Sequence, residues 1–162
     1  MFVKRKIRTQ TINISTMEGF KLFLEKSSEE NKNIKQLLKK LPAGHRKLLD
    51  GYKFKYQGGN TLKGDDEHIG VIYKNKITVA APWNYGREFT TLHEIAHLVW
   101  EYKMTPKLKK EWGKIAKKNP KRNQDNNEEN FAMAYACHYA KHKIKVHDYP
   151  EWHNFIKNKV PK

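Results

Sequence analysis

The sequence predicts an α+β fold, with a small twisted mixed sheet packed on one long helix and a helical C-terminal half. Three observations carry that expectation. Apolar residues alternate or cluster in short runs between Tyr52 and Ala81, the pattern of strands. Leu92, Ala96 and Val99 then recur at i, i+4 and i+7, the stripe by which a helix packs on a core. Beyond Thr105 the apolar residues keep helical spacing, broken at Asn119-Pro120 and before Pro150.

The elements follow in order. Residues 2 to 15 mix basic and β-branched side chains, and the alternation of Ile12 with Ile14 predicts a short strand. Met17, Phe20, Phe23 and Leu24 fall at helical spacing, as do Ile34, Leu37, Leu38 and Leu41. Pro42 closes the second of these helices, and a short helical piece from Ala43 to Leu49 ends at Asp50-Gly51. Tyr52 to Tyr56 alternates as a half-buried strand, stopped by Gly58-Gly59-Asn60. After a polar loop, Ile69–Tyr73 and Ile77–Ala81 predict a hairpin around Lys74-Asn75-Lys76. Asn75 is expected to take the left-handed conformation there.

The long helix should begin near Tyr85 to Glu88 and end before Thr105-Pro106, because a residue preceding proline leaves helical geometry. Thr105-Pro106 opens the next helix as N-cap and first-turn proline, and that helix runs to about Lys118. A further helix spans about Glu128 to Lys143, and a last one opens at Asp148-Tyr149-Pro150 with Trp152, Phe155 and Ile156. The chain shows no repeats and no linker. Its 162 residues suit a single domain spanning 1–162.

Composition narrows the classes of function. Four Trp, eight Tyr and seven Phe can bury large areas and weigh against disorder. The net charge of +16, from 33 Lys+Arg against 17 Asp+Glu, would attract acidic partners. The lysines are spread along the whole chain, which favours a solvated surface. One local excess runs from Lys103 to Arg122, opposed only by Glu111. No nucleic-acid motif accompanies the charge, so no specific nucleic acid is expected. A single cysteine, Cys137, excludes an intrachain disulfide and a thiolate metal cluster. No signal peptide is visible and no run reaches membrane-spanning length, so a cytoplasmic monomer is expected, or a secreted one whose signal was removed.

The chemistry concentrates in Thr91-Leu92-His93-Glu94-Ile95-Ala96-His97-Leu98-Val99. His93 and His97, four apart, share one helical face, so both rings can reach one zinc ion. Glu94 projects beside them, where it can take a proton from a water activated by the metal. With this chain's composition the pattern would arise by chance in about one such chain in fifty.

A catalytic zinc wants three protein ligands and one open position. A third histidine at 103 is ruled out, since that residue is Lys103 and position 100 is Trp100 rather than Gly. A carboxylate from a later helix remains, Glu128 or Glu129. Glu129 shares its face with Ala132 and Ala136, small enough to bring two helices together, whereas Glu128 shares its face with Phe131 and Tyr135. Glu129 is therefore the expected ligand. The competing role for Glu129 is local, because Asn126-x-x-Glu129 is also a capping-box pattern.

With these residues in place, the chain resembles the zinc protease domain of anthrax lethal factor and its relatives, including secreted Pro-Pro endopeptidases. The similarity runs through Leu41-Pro42, Leu48-Leu49, Gly70–Tyr73, Lys76–Val79 and Thr91–His97. It resumes at Glu129–Tyr135 and at Pro150 with Phe155-Ile156, covering roughly two-thirds of the chain. The resemblance implies a zincin-like metallopeptidase fold, with His93, His97 and Glu129 as ligands of one zinc and Glu94 as base. It also implies a protein or peptide substrate laid along an edge strand. Two positions depart from that family. Met133 stands where a carboxylate would orient a ligand. Arg122 stands where a catalytic tyrosine would stabilise the oxyanion, so either Arg122 takes that role or the activity is altered.

The expected function is zinc-dependent endopeptidase activity, with a preference for acidic flanks set by the Lys103–Arg122 stretch. Two alternatives stand beside it. One is a catalytically impaired binding module of the same fold, for an acidic protein or a nucleic acid. The other is a relative of the repressor-cleaving peptidases of mobile elements, which share the two-histidine and late-glutamate arrangement.

Overall fold

The computed structural model describes residues 12–13, 36–57, 70–80, 85–118, 126–140 and 149–162. The expected helix through Met17 and Leu24, the loop at 61–68 and Arg122 lie outside the described residues.

The sheet is small and mixed. Strand β1 (Ile12–Asn13) pairs antiparallel with β2 (Lys53–Gln57), β2 pairs parallel with β4 (Lys76–Ala80), and β3 (Gly70–Tyr73) pairs antiparallel with β4. The spatial order β1-β2-β4-β3 puts β4 inside and β3 at an edge. Phe54, Ile77 and Val79 point into the core and are buried, as a period of two requires of one face. Lys55, on the other face, is also buried, and desolvation followed by the charge of Lys76 lowers its pKa.

The hairpin differs from expectation at its turn. Tyr73 pairs with Lys76, so the loop is Lys74-Asn75 alone, and Lys74 rather than Asn75 has a positive φ of 52°. The cause lies in β2, where the Lys53 N–H donates to the Asn75 carbonyl at 2.9 Å. That bond belongs to the Lys53–Lys76 pair of the parallel β2–β4 ladder and ties the peptide after Asn75 into the sheet. Reversal of the chain falls to Lys74, at a cost of about 1–2 kcal/mol for a residue with a Cβ.

Residues 36–40 are helical and bury Leu37 and Leu38. Helix α1 (Ala43–Lys47) follows and closes through Gly51, whose φ of +80° suits a residue without a Cβ. Helix α2 (Tyr85–Lys103) is the long one. It packs on β3 and β4 and, most extensively, on α4 (Asn127–Tyr139). Its apolar side is wider than the stripe of three, because Ile95, Leu98 and Trp100 are buried as well.

Helix α3 (Pro106–Ala116) starts as expected, with Pro106 in the first turn and Thr105 Oγ1 accepting from the Leu108 N–H at 3.3 Å. Helix α4 stops at Tyr139, short of Lys143, because Ala140 is already extended with ψ 143°. Helix α5 (Pro150–Asn158) completes the fold. Trp112 of α3 is fully buried among Phe131 of α4 and Trp152 and Phe155 of α5, at ring-centroid distances of 5.7, 5.5 and 5.2 Å. Removing such a ring typically costs about 3–5 kcal/mol. This aromatic cluster joins the three C-terminal helices.

Candidate metal centre

The site forms where α2 meets the first turn of α4. His93 and His97 lie on one face of α2, their ring centroids 5.0 Å apart. Both keep partial exposure, whereas Glu94 between them is only 7% exposed. Glu129 comes from α4. One oxygen, Oε2, stands 3.1 Å from His93 Nε2 and the other, Oε1, 3.5 Å from His97 Nε2. Burial first, and the neighbouring His97 next, hold the His93 pKa below its ordinary value, with Glu129 opposing. At neutral pH the uncharged ring, the form that binds metals, is thereby favoured.

The donor set suits a metal. One ligand atom from each of His93, His97 and Glu129 lies within 4.8 Å of the others. Donors of a tetrahedral zinc with bonds of about 2.0–2.1 Å stand about 3.3 Å apart, close to the two Glu129 distances. Two imidazoles and a carboxylate are also the donor types of hydrolytic zinc sites. Among the described residues this is the one group of three such side chains close enough to share an ion.

The local competition at the start of α4 resolves in a specific way. The Asn126 side chain accepts from the Glu128 N–H at 2.9 Å, so it caps the second residue of the helix. The Glu129 carboxylate is turned to the histidines. Glu128 does not stand aside, contrary to its expected face: its Oε1 lies 2.7 Å from His97 Nδ1. The aromatic face of α4 is not directed away from α2, because Phe131 packs on Trp100 with centroids 5.3 Å apart. Stepping back three residues along each helix leads from Phe131 and Trp100 to Glu128 and His97. The two contacts are successive rungs of one interface.

A second residue missed in the sequence is Gly70, the first of β3. A Cβ there would overlap the Glu94 carboxylate, standing 3.0 Å from its Cδ and 2.7 Å from Thr90 Cγ2. Gly70 therefore admits Glu94 against the edge strand. A glycine opening a strand is the available signal, since it marks close approach of another group.

The other candidates separate from the centre. Met133, four residues after Glu129, is half-buried and packs against the core. His45 is a satisfied core histidine, with Nε2 2.7 Å from the Pro161 carbonyl and Nδ1 2.9 Å from the Tyr135 hydroxyl. His138 and His153 pair through their Nδ1 atoms at 2.8 Å, across α4 and α5. Of the basic stretch, Lys107, Lys110, Lys114, Lys117 and Lys118 are exposed. Glu111, expected to oppose them, is bridged to Lys159 at 3.4 Å. No helix among the described residues is long and apolar enough to cross a membrane.

Compared with family models, with curated proteins and with solved structures, the chain matches none.

Proposed function

We propose that the chain is a zinc-dependent endopeptidase of the zincin-like kind, similar in its working parts to the lethal factor and Pro-Pro endopeptidase group. What supports the reading is one convergence: His93, His97 and Glu129 share a centre beside a buried Glu94, and Glu94 touches the first residue of an edge strand. His93, His97 and Glu129 would hold the ion. Bound there, zinc would polarise a peptide carbonyl and bring the pKa of a water to about 7.

Glu94 then has two tasks. It takes a proton from the water as the new carbon–oxygen bond forms, and returns it to the nitrogen as the carbon–nitrogen bond breaks. The products are a free carboxyl and a free amine. Glu94 is suited to this because its helix fixes it beside the ligands and its burial limits competing water.

Of the two hairpin strands, β3 alone borders the sheet among the described residues. An extended peptide pairing with it gains main-chain hydrogen bonds without a demand on sequence. The Gly70 end of that strand would lead the scissile bond to Glu94. The exposed lysines of α3 would favour acidic residues flanking that bond. Arg122 stands where the resemblance places an oxyanion tyrosine, and either it takes that role or the activity is altered.

The test joins metal content to a substituted base. The purified protein is expected to hold about one zinc per chain and to cleave members of an unbiased peptide library. Glu94→Gln should keep the zinc and lose activity by about 100-fold or more, since an amide keeps the shape but cannot accept the proton. Cleavage by Glu94→Gln at the parental rate would remove Glu94 from the mechanism. A zinc-loaded parent that cleaves nothing would favour the binding-module alternative.

A further inference from the structure

We propose that Glu128 is a positioning residue that sets which nitrogen of His97 is offered to the metal. The inference rests on the metal-site reading above and deepens it. It starts from the 2.7 Å contact between Glu128 Oε1 and His97 Nδ1, within the range of charge-assisted hydrogen bonds. A carboxylate can only accept, so the proton sits on Nδ1 and His97 donates it. In neutral imidazole one nitrogen carries the proton and the other a lone pair. With Nδ1 committed to Glu128, the lone pair is on Nε2, the nitrogen that faces Glu129 at 3.5 Å.

The two adjacent glutamates thus divide the work by side of one ring. Glu129 belongs to the donor set, while Glu128 stands behind His97 and holds both its tautomer and its orientation. Neighbouring helical positions point about 100° apart, so one ion cannot take both from a regular turn. They can, however, grip opposite edges of an imidazole lying between them. The grip is itself anchored: Asn126 caps the Glu128 N–H, and the Phe131–Trp100 contact fixes the spacing one turn further on. His93 has no such contact with Glu128, so the effect is specific to His97.

Losing Glu128 should therefore do more than remove an acidic charge from the first turn of α4. Partners that orient a metal-bound histidine typically contribute 10- to 100-fold in metal affinity. Three proteins are compared, the parent, Glu128→Ala and Glu128→Gln. The measurements are zinc affinity by chelator competition and the nitrogen NMR shifts of the His97 ring in the metal-free state. Glu128→Ala should weaken zinc by about 10- to 100-fold and move His97 toward protonation on Nε2. Glu128→Gln should recover much of both, because its amide oxygen still accepts from Nδ1.

Zinc affinity for Glu128→Ala within about twofold of the parent, well below that range, would overturn the proposal. So would an Ala variant with the parental His97 tautomer, or a Gln variant as impaired as Ala. Failure of the parent itself to bind zinc would overturn the metal-site reading and the affinity half of the proposal together. The metal-free tautomer still decides in that case whether Glu128 directs His97.

Discussion

The Glu94 carboxylate rests against Gly70, so close that no side chain fits at residue 70. An edge strand and the long helix α2 are thus joined at the carboxylate proposed to carry the proton. The obstruction a methyl group would create predicts the effect of Gly70→Ala. The added Cβ must displace Glu94, the Thr90 methyl or β3 itself. Misplacing a reacting group by about 1 Å can cost about 100-fold in rate. Gly70→Ala is expected to lower kcat/KM on a library-selected peptide by that order while keeping its zinc. Parental kcat/KM would mean that Glu94 is positioned without Gly70.

Zinc should stabilise the parent and not a variant lacking the carboxylate ligand. A ligand at a hundredfold excess over its Kd adds about 2.7 kcal/mol. For a chain of this size that amounts to about 5–11 °C in Tm. Glu129→Ala should lose most of this shift at the same zinc concentration, with its metal-free Tm changed far less. A full shift in Glu129→Ala would exclude Glu129 as a ligand.

Acid should weaken the fold through His45. Burial is the main cause holding its pKa below 6.5, with the nearby Lys162 and Lys103 contributing and the Pro161 hydrogen bond opposing. The unfolded chain therefore binds more protons than the folded one between the folded pKa and 6.5, and stability rises with pH across that window. The full contribution is present above 6.5 and declines as pH falls from there toward the folded value. His45→Gln keeps a donor for the Pro161 carbonyl and an acceptor for the Tyr135 hydroxyl without titrating. Its Tm should fall less than the parent's between about pH 7.5 and about pH 5.5, a range that brackets the ordinary histidine pKa. Equal slopes would show that other groups carry the acid sensitivity.

Local features were legible in the sequence, and relations between elements were less so. Thr105-Pro106 declared its helix because capping needs only neighbouring residues. The four-residue spacing of His93 and His97 declared a shared face for the same reason. The sequence offered no such sign of the strand order. Nothing local says that β4 lies between β2 and β3, and the turn at Lys74 is decided by a hydrogen bond from Lys53 across the sheet.

Glu128 was misjudged through a similar limit. Phe131 and Tyr135 mark a buried face, but their pattern does not say that α2 is what buries it. Phe131 in fact packs on Trp100, so Glu128 follows it toward His97. Amphipathic patterns tell which side of a helix is buried, and they do not tell which neighbour buries it.

The His45 contacts also bear on the order in which the chain assembles. His45 bonds to Tyr135 across 90 residues of sequence and to Pro161 across 116, whereas His97 meets Glu128 across 31. Closing a longer loop costs more entropy before its contacts give anything back, though the cost grows only as the logarithm of length. The α2–α4 pair can therefore meet while the termini are still loose, which brings His97 and Glu128 together early. The three-way junction of His45, Tyr135 and Pro161 then draws the C-terminal residues onto α1 as a closing step.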